Sequence, residues 1–156
     1  MYNSSQFFDA LKQGNSELVD DILQQNPEYI NLKDQRGSTP LILATYFNFP
    51  DVLDVLLKHG ANVNNTDAAG NTALMGVAFK GNIDVAKKLI DNGADLNPKN
   101  SIGFTALIFA ASFNQVEMAK FLVDNGAKKN LVDAKGMTAK DYALSKGFKE
   151  IVNLVS

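Results

Sequence analysis

A 33-residue period runs through this chain and restricts its fold more than any other feature. Gly37, Gly70, Gly103 and Gly136 stand 33 residues apart, as do Thr39, Thr72, Thr105 and Thr138. Gly60, Gly93 and Gly126 keep the same step, and so do Asp34, Asp67, Asn100 and Asp133. Such a period marks stacked supersecondary units, none of which can bury its apolar face alone. The aligned segments read DQRGSTPLILATYFN, DAAGNTALMGVAFKG, NSIGFTALIFAASFN and DAKGMTAKDYALSKG. Residues 1–33 form a weaker copy, in which Ala10, Leu11 and Gly14 match Ala44, Thr45 and Asn48 at an offset of 34. Ile30 and Asn31 return to the 33-residue offset, so one extra residue sits near Pro27–Glu28.

The repeated residue types describe one unit. Ten of the eleven glycines occupy three repeated slots, the pattern of turns that need positive φ. Asn48 and Asn114 replace glycine in one slot, and Asn is the side chain that best tolerates that conformation. The repeated threonines precede apolar runs, where a hydroxyl caps a helix start, and Ser5 fills the equivalent slot in the first copy. In the second copy a short inner helix is expected over about residues 39–47, followed by an outer helix from Pro50 to Lys58. Val52, Leu53, Leu56 and Leu57 carry its helical spacing, as Val85, Ala86, Leu89 and Ile90 do one period later.

The T-P-L at Thr39–Leu41, the T-A-L at Thr72–Leu74 and Thr105–Leu107, and the G-A-x-x-N at Gly60–Asn64 and Gly93–Asn97 make the sequence resemble the ankyrin repeat family. The resemblance covers essentially all 156 residues. It implies an all-α helix–turn–helix solenoid with short β-hairpin-like fingers and about five repeats including both caps. The expected division is a cap repeat at 1–33, repeats at 34–66, 67–99 and 100–132, and a cap repeat at 133–156. At about 8–10 Å per helix step the stack would be a rod of roughly 40 Å with a concave face. The His that follows T-P-L in the family is Ile42, Met75 and Ile108 here, which keeps packing and loses a polar brace. Lys140 and Asp141 in the last copy suit a wet outer side.

The resemblance also implies that a partner meets the finger tips and the exposed side of the inner helices. Carried over slot by slot, the partner-binding candidates are Arg36, Tyr46, Phe47, Phe79, Lys80, Ile102, Phe104 and Phe113. Aromatic and aliphatic residues at slots that need not be structural read as a binding hot spot. Some of these rings could instead fold back onto the adjacent repeat, Phe47 and Phe113 more readily than Tyr46 and Phe79. Gly76, the one glycine outside the turn slots, sits inside an inner helix, where it either notches the concave wall or, the favoured reading, relieves crowding beside Phe109.

Composition narrows the function. With no Cys and one His, disulfides, thiolate metal sites, thiol nucleophiles and two-imidazole mechanisms are excluded. The net charge of -2 gives no pull toward nucleic acid or an anionic membrane, and Arg36 is the only arginine. Residues 1–78 carry 4 basic and 9 acidic side chains (-5), residues 79–156 carry 11 and 8 (+3), a polarity able to orient a partner. No P-loop, nucleophile elbow, zincin or EF-hand pattern occurs, and His59 reads as a cation at a helix C-terminus. The chain is therefore expected to be a non-enzymatic adaptor, inhibitor or chaperone-like module that binds another protein. It should need no cofactor, metal, nucleic acid or membrane and be monomeric by itself. Without a basic, apolar leader the expected location is the cytoplasm. The alternatives are a secreted bacterial effector using the same surface on a host protein, and a small acid-catalysed enzyme. The lack of Asp and Glu in the concave slots speaks against the latter.

Overall fold

The computed structural model describes residues 1–156. Ten α-helices follow one another as five pairs: α1 Ser4–Lys12 with α2 Ser16–Gln25, α3 Pro40–Tyr46 with α4 Pro50–Lys58, α5 Ala73–Lys80 with α6 Ile83–Asp91, α7 Ala106–Ser112 with α8 Val116–Asp124, and α9 Ala139–Lys146 with α10 Lys149–Val155. The odd-numbered helices pack in sequence as an inner row, α1 on α3, α3 on α5, α5 on α7 and α7 on α9. The even-numbered helices form the outer row behind them. The outer helices present period-matched apolar stripes to the interior: Val52, Leu53 and Leu56, then Val85, Ala86 and Leu89, then Met118, Ala119 and Leu122, all buried. One continuous core of 32 buried residues runs the length of the stack. The all-α solenoid that the repeats imply is therefore the fold observed.

Helix starts follow the repeated threonines. Thr39, Thr72, Thr105 and Thr138 each cap an inner helix, their hydroxyls accepting the N–H of the third residue on. Ser5 does not do this. In the first copy Asn3 caps α1 in a reciprocal box with Gln6, and Ser5 lies inside the helix. The reciprocal bonds of Asn3 and Gln6 satisfy the open N–H groups two residues before the expected start. The extra residue near Pro27 is absorbed by a short 3₁₀ helix, Pro27–Asn31.

The turns behave as the glycines require. All ten slot glycines have positive φ, and so do Asn48 (58°) and Asn114 (54°). Each finger is a tight turn closed by its first residue. The N–H groups of Asp34, Asp67, Asn100 and Asp133 donate to the carbonyls of Ser38, Asn71, Phe104 and Met137 at 2.9–3.0 Å. The side-chain Oδ1 of the same four residues accepts the N–H groups two and four residues on, at 2.8–3.1 Å. Successive fingers then dock on each other, Ser101 N–H on the Ala69 carbonyl and Ala134 N–H on the Ile102 carbonyl, both at 3.0 Å.

Gly103 serves both needs at once. Its φ is +82°, and a Cβ there would stand 2.7 Å from the Ala134 backbone nitrogen. Gly136 has a similar φ of +78°, but a Cβ would meet nothing. Alanine at Gly136 should therefore cost only the left-handed strain, about 1–2 kcal/mol. Alanine at Gly103 should cost clearly more, because two backbones must separate. Denaturant midpoints of the two variants, measured side by side, check this ordering.

Candidate functional site

The inner helices and the fingers enclose an open groove. Its wide part, about 990 Å³, lies between α1, α3 and the first two fingers and is lined by Lys12, Arg36, Leu43, Tyr46 and Phe47 among others. A smaller cleft of about 240 Å³ continues it over α5, with Ile42, Tyr46, Met75, Gly76, Phe79, Lys80 and Phe109 around it. Tyr46 and Ile42 line both, so the Tyr46 ring is the ridge between them.

The expected partner-binding residues divide into two groups. Tyr46 (64% exposed), Ile102 (54%) and Phe113 (47%) stand in solvent, and Phe79 and Phe47 are exposed to a lesser degree. Phe113 is thus more open than Phe79, the reverse of the expected order. The two rings lie against each other across the repeat boundary, edge to face with centroids 4.4 Å apart. Phe47 leans on Tyr46 and stacks on Phe49 at 6.0 Å. Arg36 is exposed at the first finger tip.

Phe104 and Lys80 are engaged within the chain. The Phe104 ring is half-buried, edge-on to Phe109 at 5.1 Å and to Tyr142 at 5.3 Å, and so braces one repeat against the next. Lys80 donates to the Tyr46 carbonyl and lies 4.5 Å above the Tyr46 ring. It closes the C-terminal end of α3 from the following repeat. Gln115 donates likewise to the Phe79 carbonyl at 2.9 Å, and Lys146 to the Ser112 carbonyl at 2.6 Å. Ser112 itself is buried. The same logic recurs at the other end of the units, where Asn64 and Asn97 accept the backbone N–H of Asp95 and Lys128. These stitches lie 31 to 36 residues apart; only the asparagine could be anticipated from G-A-x-x-N.

Gly76 is exposed, and a Cβ built on it would meet nothing within 4 Å. Crowding beside Phe109 is therefore not its reason, and the notch in the concave wall is what the structure contains.

Charge is sorted by face. All five ion pairs join side chains of the outer helices and their ends: Lys58 and His59 with Asp20, Lys87 with Asp91, Lys88 with Asp54, and Lys120 with Asp124. His59 Nε2 lies 2.6 Å from Asp20 Oδ1, a contact that holds the Asp20 carboxyl below its usual range. No three His, Asp or Glu side chains converge in a way that could hold a metal ion. At the last finger the Tyr142 hydroxyl donates to Asp133 Oδ2. That bond, aided by burial, pushes the tyrosine up to about 12. The same bond, with the backbone N–H of Met137, holds Asp133 low against the effect of burial.

The family model for ankyrin repeats (3 copies) matches residues 7–100 and 77–156. The chain belongs to the ankyrin repeat family. No curated protein matches it. Ankyrin repeats are generally protein–protein interaction modules and typically lack enzymatic activity. No helix of this family member is long and apolar enough to cross a membrane.

Two outcomes follow. Because Tyr142 holds its proton in the fold well above the ordinary value near 10, its contribution to stability is full below pH 10 and is lost as the pH rises toward about 12. Denaturant unfolding across that range should show a smaller loss of stability in Tyr142→Phe than in the wild type, because Tyr2, held high by its bond to Asp21, titrates in both. Gly76→Ala should raise stability by about 1 kcal/mol, since an exposed helix interior prefers Ala by that amount and nothing obstructs the methyl. Thermal melts of the variant against the wild type test it.

Proposed function

We propose that this ankyrin repeat protein is a non-enzymatic module that grips a second protein in the groove between its inner helices and fingers. One observation carries the reading. Tyr46 and Phe79 are exposed in the groove, Phe113 is exposed against Phe79 and Ile102 at a finger tip, while the outer helices carry the ion pairs. Exposed aromatic residues gathered beside a concave surface are what interface hot spots are built from. Arg36 and Phe47 extend the surface toward the first repeat; Lys80 contributes its remaining ammonium donors while holding Tyr46 in place. Phe104 braces the groove wall through Phe109 and Tyr142. The function is that of an adaptor or inhibitor acting as a rigid monomer in the cytoplasm, with repeats at 34–66, 67–99 and 100–132 between terminal units at 1–33 and 133–156. Nucleic acid is a poor fit, because Arg36 is the only guanidinium for bidentate phosphate or guanine contacts.

The decisive experiment is affinity capture from the native cell with the wild type and with the Tyr46→Ala/Phe79→Ala/Phe113→Ala variant, read by mass spectrometry beside thermal melts. A protein held by the wild type and lost by the variant, at a nearly unchanged melting temperature, is the expected result. Retention of the same partner by the variant would place the interface elsewhere.

A further inference from the structure

We propose that Asn125 is a site of spontaneous deamidation, opened whenever the end of α8 comes loose, and that its counterpart Asn92 is held closed by the preceding unit. The site lies on the outer row, and it stands whatever the groove binds.

The chemistry starts in the sequence. α6 and α8 are each followed by an Asn–Gly pair, Asn92–Gly93 and Asn125–Gly126, and the chain has no other. In such a pair the glycine backbone nitrogen attacks the asparagine Cγ. An N–Cγ bond forms, the Cγ–Nδ2 bond breaks, and Nδ2 leaves as ammonia with the glycine amide proton. Water then adds across either C–N bond of the cyclic imide, leaving aspartate or its β-linked isomer. Glycine has no side chain to hinder the attack. Both pairs are exposed, so water reaches them.

Folding blocks the reaction at both places. The N–H groups of Gly93 and Gly126 donate to the carbonyls of Ile90 and Val123 at 3.0 Å. The side-chain amides of Asn92 and Asn125 donate from Nδ2 to the carbonyls of Lys88 and Phe121 at 2.8 Å. With ψ of 17° and 4°, each asparagine Cβ lies across the Cα–C bond from the glycine nitrogen, whereas the imide ring needs the two eclipsed. Reaction therefore waits on local release of the helix end.

The two ends are not held equally. Asn64, in the unit before α6, donates from Nδ2 to the Gly93 carbonyl at 3.1 Å and accepts the Asp95 N–H at 2.8 Å, gripping the turn on both sides. One period on, Asn97 accepts the Lys128 N–H at 2.9 Å but makes no bond to Gly126. Charge adds to the difference. Asp95 follows Gly93 and opposes loss of its amide proton, whereas Lys128 and Lys129 follow Gly126 and favour it. The product then acts on the fold. A carboxylate at position 125 has no proton to donate to the Phe121 carbonyl and sets negative charge at the negative end of α8. Because α8 packs against α10, the loss falls on the junction with the last unit.

The test incubates the full chain at neutral pH, folded and in denaturant, and follows each site by peptide mapping with mass spectrometry. In denaturant the two sites should react at comparable rates. In the folded chain both should slow at least tenfold, with Asn125 the faster by at least threefold. Asn64→Ala should raise the ratio of the Asn92 rate to the Asn125 rate at least threefold in the folded chain and leave it unchanged in denaturant. The ratio is what is read, so a general loss of stability, which speeds both sites, is told apart from local release. Asn125→Asp, which makes the aspartate product directly, should melt below the wild type. Equal rates at the two folded sites, a faster Asn92, no slowing by the fold, or an unmoved ratio in Asn64→Ala overturns the inference. An unchanged melt of Asn125→Asp removes the effect on α8.

Discussion

The whole molecule depends on each helix pair covering the apolar flank of its neighbour. No pair has a core of its own; 32 buried side chains form one strip that crosses every repeat boundary. Close approach along the inner row comes from small residues at the contacts: Ala44, Ala73, Ala78, Ala106, Ala110, Ala111, Ala139 and Ala143 are all buried. Long side chains there would push the helices apart and break the finger docking, in which Gly103 already sits within van der Waals reach of the next backbone. The outer row fills the remaining space with Leu, Val, Ile and Met.

Much of this was legible in the chain because backbone conformation is written in glycine. A slot filled by Gly14, Gly81 and Gly147, and by Asn48 and Asn114 where glycine is missing, has few interpretations other than a left-handed turn. Thr39, Thr72, Thr105 and Thr138 mark helix starts for an equally local reason. The first unit was misread at Ser5 because a cap depends on where the preceding chain arrives, and Asn3 reaches the orphan N–H first. The roles of Asp34, Asp67, Asn100 and Asp133 were visible only as a spacing, although an Asx-type turn before glycine would have explained it.

The groove was less legible, because exposure depends on where a ring turns after leaving the backbone. Phe104 and Ile102 are two residues apart on one finger, yet Phe104 finds Phe109 and Tyr142 while Ile102 finds water. Lys80 and Lys146 occupy slots that look free in sequence, but a four-carbon stem can reach a carbonyl on the previous unit. Gly76 looked like relief of crowding because its neighbours by alignment, Leu43, Phe109 and Tyr142, are large. Only the distances show that the space beside it is empty.

The latches between inner helices all point one way. The donor on Lys80, Gln115 or Lys146 belongs to the later unit, and the carbonyl it closes belongs to the earlier one. On a ribosome, the second, third and fourth hairpins therefore emerge with the inner-helix end still open, and each is closed only when the next stretch of chain has been made.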